Sequence, residues 1–169
     1  MFISLIIATV SLILDIILNN FLPYMLGNLS FFTPMFTVVS LLFIYYFFRK
    51  RERHYYIFSF ILGVVYDLIF TNLLFYNGIL FLAISFIVTI LYKYLDINYF
   101  NVILDVLIII VIYELFNFII IFIFNLAFVS FYRLFYKIIH SLVLNIIYAE
   151  VVYLIINLLP KKYTKLNIN

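Results

Sequence analysis

The sequence predicts an all-α integral membrane protein, a single domain over residues 1–169 built as a bundle of six transmembrane helices. Of its 169 residues, 69% are hydrophobic and 10% are charged, and the mean hydropathy is +1.30. Soluble domains are about 45–50% apolar and about 25% charged, so the few charged residues here cannot cover a water-soluble fold of this size. The apolar runs do not alternate with polar residues as the strands of a membrane barrel do, and a helix satisfies its own backbone in lipid.

Six apolar runs are long enough to cross the hydrocarbon core, which takes about 20 residues per helix. They cover residues 2–22, 31–48, 55–73, 79–94, 102–128 and 134–159. Pro23 falls in the first connection, and Pro34 falls where it can occupy the first turn of the second helix. Because all connections are short, any chemistry would lie within the membrane or come from a partner.

The distribution of Lys and Arg predicts that both termini are cytoplasmic. With the amino terminus inside, eight of the ten basic residues lie on the cytoplasmic side, and Arg133 and Lys137 lie outside. The largest basic group is the loop that contains Arg49, Lys50, Arg51 and Arg53. We interpret this loop as topogenic, with binding of anionic lipids as the second interpretation. Arg133, Lys137 and His140 share one face of the sixth helix, which favours snorkelling to the outer interface over contact with a partner.

Four acidic residues lie well inside the predicted spans, and no Lys or Arg is expected at the same depth. They are Asp15, Asp67, Glu114 and Glu150. An ionised carboxylate at the bilayer centre costs at least about 2.5–3.5 kcal/mol, so each should face the bundle interior or a partner. One interpretation is a proton or substrate path lined by acids. The simpler one, which we favour, is a set of neutral carboxyls bonded to neighbours such as Asn117, Asn145 and Tyr148.

The chain lacks the sequence signatures of catalysis and of cofactor binding. It contains no Cys, and its two His residues, His54 and His140, match no His-based metal spacing. It has no phosphate-binding glycine loop, no GxSxG elbow and no HExxH helix. The net charge of +3 indicates membrane orientation rather than affinity for nucleic acid. We therefore expect a protein that is not an enzyme and has no cofactor, no metal ion and no nucleic-acid partner.

The third predicted helix carries the segment FSFILGVVYDLIF at residues 58–70, followed after a short turn by Asn77 and Gly78. This segment resembles the signature of MreD, a family of bacterial rod-shape-determining proteins with an F-x4-G-x3-D helix and a glycine-containing turn after it. The six spans, the two prolines and the basic loop also resemble that family. Gly63 would permit close helix approach, and Asp67, one turn later on the same face, would be carried into the packed interior.

The resemblance implies a non-catalytic scaffold of the cell-elongation machinery in the bacterial cytoplasmic membrane. Its implied partners are an MreC-like protein and, through it, MreB and the RodA–class B penicillin-binding protein pair that builds peptidoglycan. The candidate assembly residues are Gly63, Asp67, Gly78, Pro23 and Pro34. The family is also similar to the S-components of energy-coupling-factor transporters, which are six-span bundles too.

Two alternatives stay open at this point. The first is an S-component that binds a vitamin or a metal. S-components dock through an AxxxA face on the first span, where this chain has Ala8 followed by Leu12, which counts against that alternative. The second is a proton-coupled carrier that uses the acids within the spans, although no inverted repeat is visible in the sequence.

Overall fold

The computed structural model describes residues 2–26, 33–71, 73–95, 98–124 and 130–158, and these ranges contain six helices and no strand. The predicted all-α class and the six helices are thus confirmed. The helices are α1 (Phe2–Leu26), α2 (Phe36–Phe48), α3 (Glu52–Phe70), α4 (Tyr76–Tyr94), α5 (Tyr99–Ile123) and α6 (Phe131–Leu158). Consecutive helices pack most extensively as three hairpins, α1–α2, α3–α4 and α5–α6.

Five of the helices are long and apolar enough to cross a membrane, and α2 is the exception. Its 13 residues span about 20 Å, less than the roughly 30 Å of a hydrocarbon core. Residues 33–35 precede it without helical structure, so the predicted span 31–48 is helical only from Phe36 onwards. With its five long helices, the protein is a multi-pass membrane protein.

The short helix α2 forms the centre of the bundle. It packs against each of the other five helices, and eleven of its thirteen side chains are buried. Its neighbours, in contrast, each bury one face and expose another. In α6 the exposed face repeats every four residues, at Phe135, Ile139, Val143, Ile147 and Val151. Apolar side chains exposed in such continuous stripes suit contact with lipid.

Both prolines lie differently from the sequence-based expectation. α1 continues to Leu26, so Pro23 lies within its last turns and not in the connection. A helix in lipid tolerates a proline because neighbouring groups can satisfy the backbone carbonyl that loses its partner. Pro34 is buried in the non-helical segment before α2, whose N-cap is Met35, so it does not occupy the first helical turn.

Candidate functional site

Asp67 in α3 accepts hydrogen bonds from the first turn of α4. The backbone nitrogen of Asn77 lies 3.1 Å from Oδ1 and 2.9 Å from Oδ2, and Asn77 Nδ2 donates to Oδ1 at 2.8 Å. The Thr71 hydroxyl donates to Oδ1 at 2.8 Å, and the Gly78 backbone nitrogen lies 3.4 Å from Oδ2. Because Asp67 is only 1% exposed, its carboxylate is enclosed by these donors.

The local backbone explains why α4 requires this cap from another helix. The first N–H groups of a helix have no partner within the helix, and they carry a partial positive charge. Phe75, the residue before α4, has a left-handed backbone with φ of 69° and no side-chain acceptor. Since lipid supplies no water to these groups, the acid of the preceding helix takes the place of an N-cap residue.

Gly63 allows the α3–α4 turn to lie directly against α3. A Cβ atom added at Gly63 would lie 2.3 Å from the carbonyl oxygen of Asn77 and 2.7 Å from Cα of Gly78. A Cβ added at Gly78 would meet side-chain atoms, Val64 Cγ2 at 3.0 Å and Phe60 Cε2 at 3.2 Å. Side chains can shift more easily than backbone, so Gly63 is the stricter of the two requirements.

Asp15 in α1 has the same role at the start of α2. The backbone nitrogen of Phe36 donates to Oδ1 at 2.8 Å, and that of Thr37 donates to Oδ2 at 2.9 Å. The Thr37 hydroxyl donates to Oδ2 at 2.6 Å. Asp15 is fully buried, so the free N–H groups of α2 and this acid satisfy one another inside the bundle.

Asn145 in α6 completes the start of α2. Its Oδ1 accepts from the Met35 backbone nitrogen at 2.9 Å, and its Nδ2 donates to the carbonyl oxygens of Thr33 at 3.2 Å and Ser141 at 2.7 Å. The first helical turn and the segment before it are therefore held by α1 on one side and α6 on the other. The sequence predicted Asn145 as a partner of an acid, whereas it binds the backbone that the acid also caps.

Glu114 in α5 forms an ion pair with Lys137 in α6, with Nζ 2.9 Å from Oε1. The Glu114 side chain is 3% exposed and that of Lys137 is 42% exposed. The expectation that no basic side chain lies at the depth of the acids is therefore wrong here, because the long Lys137 stem turns inward instead of snorkelling outward. His140, on the same face of α6, contacts Tyr136 with ring centroids 3.9 Å apart and ring planes tilted by 32°.

Further polar side chains link the α3–α4 cap to α5. The Tyr113 hydroxyl donates to Asn77 Oδ1 at 3.1 Å, and the Tyr76 hydroxyl forms a hydrogen bond with Asn117 Oδ1. Asn77 thus contacts Asp67 through its nitrogen and Tyr113 through its oxygen. The sequence indicated Asn77 only as part of the turn before Gly78, and it gave no sign of Thr71 or Tyr113 as hydrogen-bond partners.

Two other acids do not cap a helix. Glu150 in α6 is half-buried, and its Oε1 finds no hydrogen-bond partner among the residues that the structure describes. Asp105 in α5, which was not among the predicted acids, is 5% exposed, and its Oδ1 likewise has no partner within the described ranges. In the same ranges, no group of three His, Cys, Asp or Glu side chains could hold a metal ion.

The basic loop and the first helix complete the set of predicted residues. Arg49 and Lys50 form the turn after α2, Arg51 precedes α3, and Arg53 lies in its first turn. In α1, Ala8 and Leu12 are 3% and 8% exposed and belong to the bundle's own core. The face at which an S-component would dock is therefore occupied by the protein's own helices.

The three acids that contact neighbouring helices act on the bundle itself. Each odd-numbered helix presents one carboxylate to the next helix: Asp15 to the start of α2, Asp67 to the start of α4, and Glu114 to Lys137 of α6. This arrangement can fix the relative depth of two helices, because each contact joins one position on one helix to one position on the next.

The comparisons with known proteins give one match. The family described as rod shape-determining protein MreD matches residues 1–163, which is nearly the whole chain. Neither the curated proteins nor the solved structures give a significant match. The similarity to S-components of energy-coupling-factor transporters is not confirmed by these comparisons and stays a prediction.

Proposed function

Because the chain belongs to the MreD family of rod shape-determining proteins, we propose that it is a non-catalytic scaffold of the machinery that elongates rod-shaped cells. The family match over residues 1–163 is the observation that carries this proposal. The capped helices support it, since Asp15 and Asp67 are engaged by the backbone of the next helix and serve the rigidity of the bundle. A scaffold requires such a fixed surface, because a partner can only recognise helices that keep their relative positions.

The proposed partners follow from the family. The chain would associate with an MreC-like protein and, through it, with MreB and the RodA–class B penicillin-binding protein pair. The exposed apolar stripes of the outer helices offer surface for a transmembrane partner, although lipid covers the same kind of surface.

Depletion of the protein in a rod-shaped host tests this function. We expect cells to round or swell while uptake of small nutrients is unchanged. Re-expression of wild-type protein should restore the rod, and Asp67→Leu should restore it less well than Asp67→Asn, since Asn keeps an acceptor for the α4 backbone. Cells that keep their rod shape after complete depletion would contradict the proposal.

Isolation of the native complex tests the partners. The tagged protein is extracted gently from native membranes beside an unrelated tagged multi-span protein, which is the control for non-specific recovery. We expect an MreC-like protein to co-purify with the first and not with the second. Recovery of ABC-type ATPases with a transmembrane coupling subunit would instead support the S-component alternative, which no feature of the bundle favours at present.

The proposed orientation places both termini in the cytoplasm, and the cysteine-free chain makes this easy to test. Single cysteines are introduced at Arg51, in the basic loop, and at Tyr132, at the opposite end of the bundle and 75% exposed. A membrane-impermeant maleimide should label Tyr132→Cys in intact cells and Arg51→Cys only after permeabilisation. The reverse pattern would show that the basic loop faces outward.

A further inference from the structure

A small cleft opens where the even-numbered helices end. It has a volume of about 200 Å³ and is lined by Phe43, Tyr46, Tyr92, Tyr153, Ile156 and Asn157. We refer to these six residues as the tyrosine cleft. An apolar cavity of about 150 Å³ can hold a benzene molecule, so the tyrosine cleft has room for a glycerol backbone or a few methylene groups.

The tyrosine cleft lies at the depth of the bilayer interface. All its residues fall within the last five residues before the ends of α2, α4 and α6, which is within about 8 Å of those ends. Tyrosine is enriched at this level of a membrane, where its ring contacts hydrocarbon and its hydroxyl reaches polar groups. At this depth, the cleft can therefore contact the apolar part of a bound molecule with its rings and the polar part with its hydroxyl groups.

Two polar groups of the cleft have no partner within the described part of the chain. The Tyr92 hydroxyl is engaged, since it donates to the Leu42 carbonyl oxygen at 2.8 Å. No hydrogen bond within the same ranges uses the Tyr46 hydroxyl or the Asn157 amide. These groups are therefore available to the ester and glycerol oxygens of a bound molecule.

The loop beside the cleft has a net positive charge, because Arg49, Lys50, Arg51 and Arg53 outnumber Glu52. Arg49 follows the last residue of α2, is exposed, and lies within electrostatic range of the Tyr45 and Tyr92 hydroxyls. Two acids act on the same hydroxyls, Glu52 on Tyr45 and the buried Asp105 on Tyr92. Arg49 forms no ion pair with a carboxylate of the described residues. Glu52, the acid of the basic loop, accepts a hydrogen bond from Tyr45 at 3.2 Å. A guanidinium in this position suits a phosphate group.

We propose that the tyrosine cleft binds an anionic glycerophospholipid, with the phosphate at Arg49 and the glycerol region between Tyr46 and Asn157. The cleft is smaller than the 300–1,000 Å³ typical of pockets for drug-sized ligands, which fits insertion of part of a lipid. The lipid would bridge the ends of α2, α4 and α6 and so stabilise the bundle at the side that carries the basic loop.

The test measures lipid binding to the full-length protein in a maltoside detergent. Phosphatidylglycerol and phosphatidylcholine with the same acyl chains are added separately, and binding is followed by native mass spectrometry and by the thermal unfolding midpoint. Glycerol 3-phosphate serves as a headgroup without acyl chains. We expect phosphatidylglycerol to bind at least tenfold more tightly than phosphatidylcholine, and glycerol 3-phosphate to leave the midpoint unchanged.

Two variants locate the site, and one controls for charge. Arg49→Gln removes the cation and Asn157→Phe fills the cleft, and each should weaken phosphatidylglycerol binding at least tenfold. Arg133→Gln removes an exposed cation at the opposite end of the bundle and should bind like wild type. Because all three side chains are exposed, the lipid-free midpoints should agree within about 2 °C, which shows that each variant folds.

Four results would overturn the proposal. The first is equal binding of the two lipids, and the second is stabilisation by glycerol 3-phosphate alone, which would indicate a free phosphate compound as the ligand. The third is undiminished phosphatidylglycerol binding by either Arg49→Gln or Asn157→Phe. Loss of binding in Arg133→Gln to the same degree would show that only total charge matters, and this too would contradict a site at the cleft.

Discussion

In the α3–α4 hairpin, the capping carboxylate and the helix start are ten residues apart, whereas in the α1–α2 hairpin they are twenty-one residues apart. The nearer pair is closed by a short turn, and Gly63 brings α3 into contact with the backbone of that turn. The more distant pair needs additional support from Asn145 of α6, which is 110 residues from Met35. The same kind of carboxylate cap is thus local in the α3–α4 hairpin, whereas in the α1–α2 hairpin it depends on a third helix. We refer to the first as the local form of the cap and to the second as the long-range form.

In the third hairpin, α5–α6, the partner of the carboxylate is a side chain and not the start of a helix. Glu114 contacts Lys137 seven positions along α6, so a full positive charge stands where the other hairpins present backbone N–H groups. A carboxylate requires a positive partner in lipid, and either kind satisfies it. The comparison of the three hairpins suggests experiments that separate local support, long-range support and ion pairing.

The largest effect should come from Gly63→Ala, which tests the local form. The added Cβ would lie 2.3 Å from a backbone oxygen, so the turn must move away from α3 and the Asp67 cap must open. We expect a loss of about 3 kcal/mol or more, or about 6–12 °C in the unfolding midpoint in detergent. Gly78→Ala is the matched control, because it meets side chains only and should change stability by about 1 kcal/mol or less. Equal midpoints for the two variants would refute this ranking.

Next in size is Asp67→Leu, which removes the acceptor and replaces the two carboxylate oxygens by larger methyl groups on a side chain of the same branching. The Asn77 and Thr71 donors would be left without partners in a buried place, at a cost of about 2–3 kcal/mol. Asp67→Asn should cost about half as much, since it keeps one acceptor oxygen. Thermal unfolding of both variants in the same detergent measures the difference. If the two variants unfold together, hydrogen bonding by Asp67 contributes little and its role is packing.

The long-range form predicts coupling between α1 and α6. Asp15→Asn and Asn145→Ala both act on the first turn of α2, so their effects should not add. A double-mutant cycle on the free energy of unfolding should give a coupling energy of about 0.5–3 kcal/mol. The cycle of Asp67→Asn with Asn145→Ala is the control and should show additivity. Additive effects for Asp15 and Asn145 would mean that the two caps work independently.

The ion pair between Glu114 and Lys137 can be broken in one variant and removed entirely in a second. Lys137→Met leaves Glu114 buried without its cation and should destabilise the protein by about 1–3 kcal/mol. Adding Glu114→Gln to that variant should restore part of the loss, because the uncompensated charge is gone. Unfolding midpoints of the wild type and of these two variants measure the loss and its recovery. A double variant less stable than Lys137→Met would show that Glu114 has another partner.

Tyr113→Phe should give the smallest effect. It removes one hydrogen bond, from the Tyr113 hydroxyl to Asn77, and leaves the Asp67 cap in place. Interhelical hydrogen bonds in membranes average about 0.6 kcal/mol, so the midpoint should fall by about 1–2 °C. Tyr132→Phe, at a side chain that is 75% exposed, is the control and should not change it. A loss as large as that of Asp67→Leu would mean that Asn77 depends on Tyr113 for its position.

The sequence predicted the helices well because lipid imposes their length and apolar character on each span separately. It could not show that α2 is the central helix, because a helix surrounded by protein and a helix surrounded by lipid have the same composition. The Gly63–Asp67 motif and the Asn77–Gly78 turn could be found because they lie within sixteen residues of one another. Asn145 and Lys137 have partners far away in sequence, and no local pattern indicates such pairing.

The support of α2 from both sides has a consequence for biosynthesis. Asp15 leaves the ribosome before α2 does, but Asn145 follows α2 by about a hundred residues, so the start of the central helix stays incomplete until α6 has been inserted. A chain truncated or stalled before α6 exposes the backbone of Met35 within the bilayer, where unsatisfied polar groups are costly. The first turn of α2 therefore gains its full set of hydrogen-bond partners only when α6 is in place.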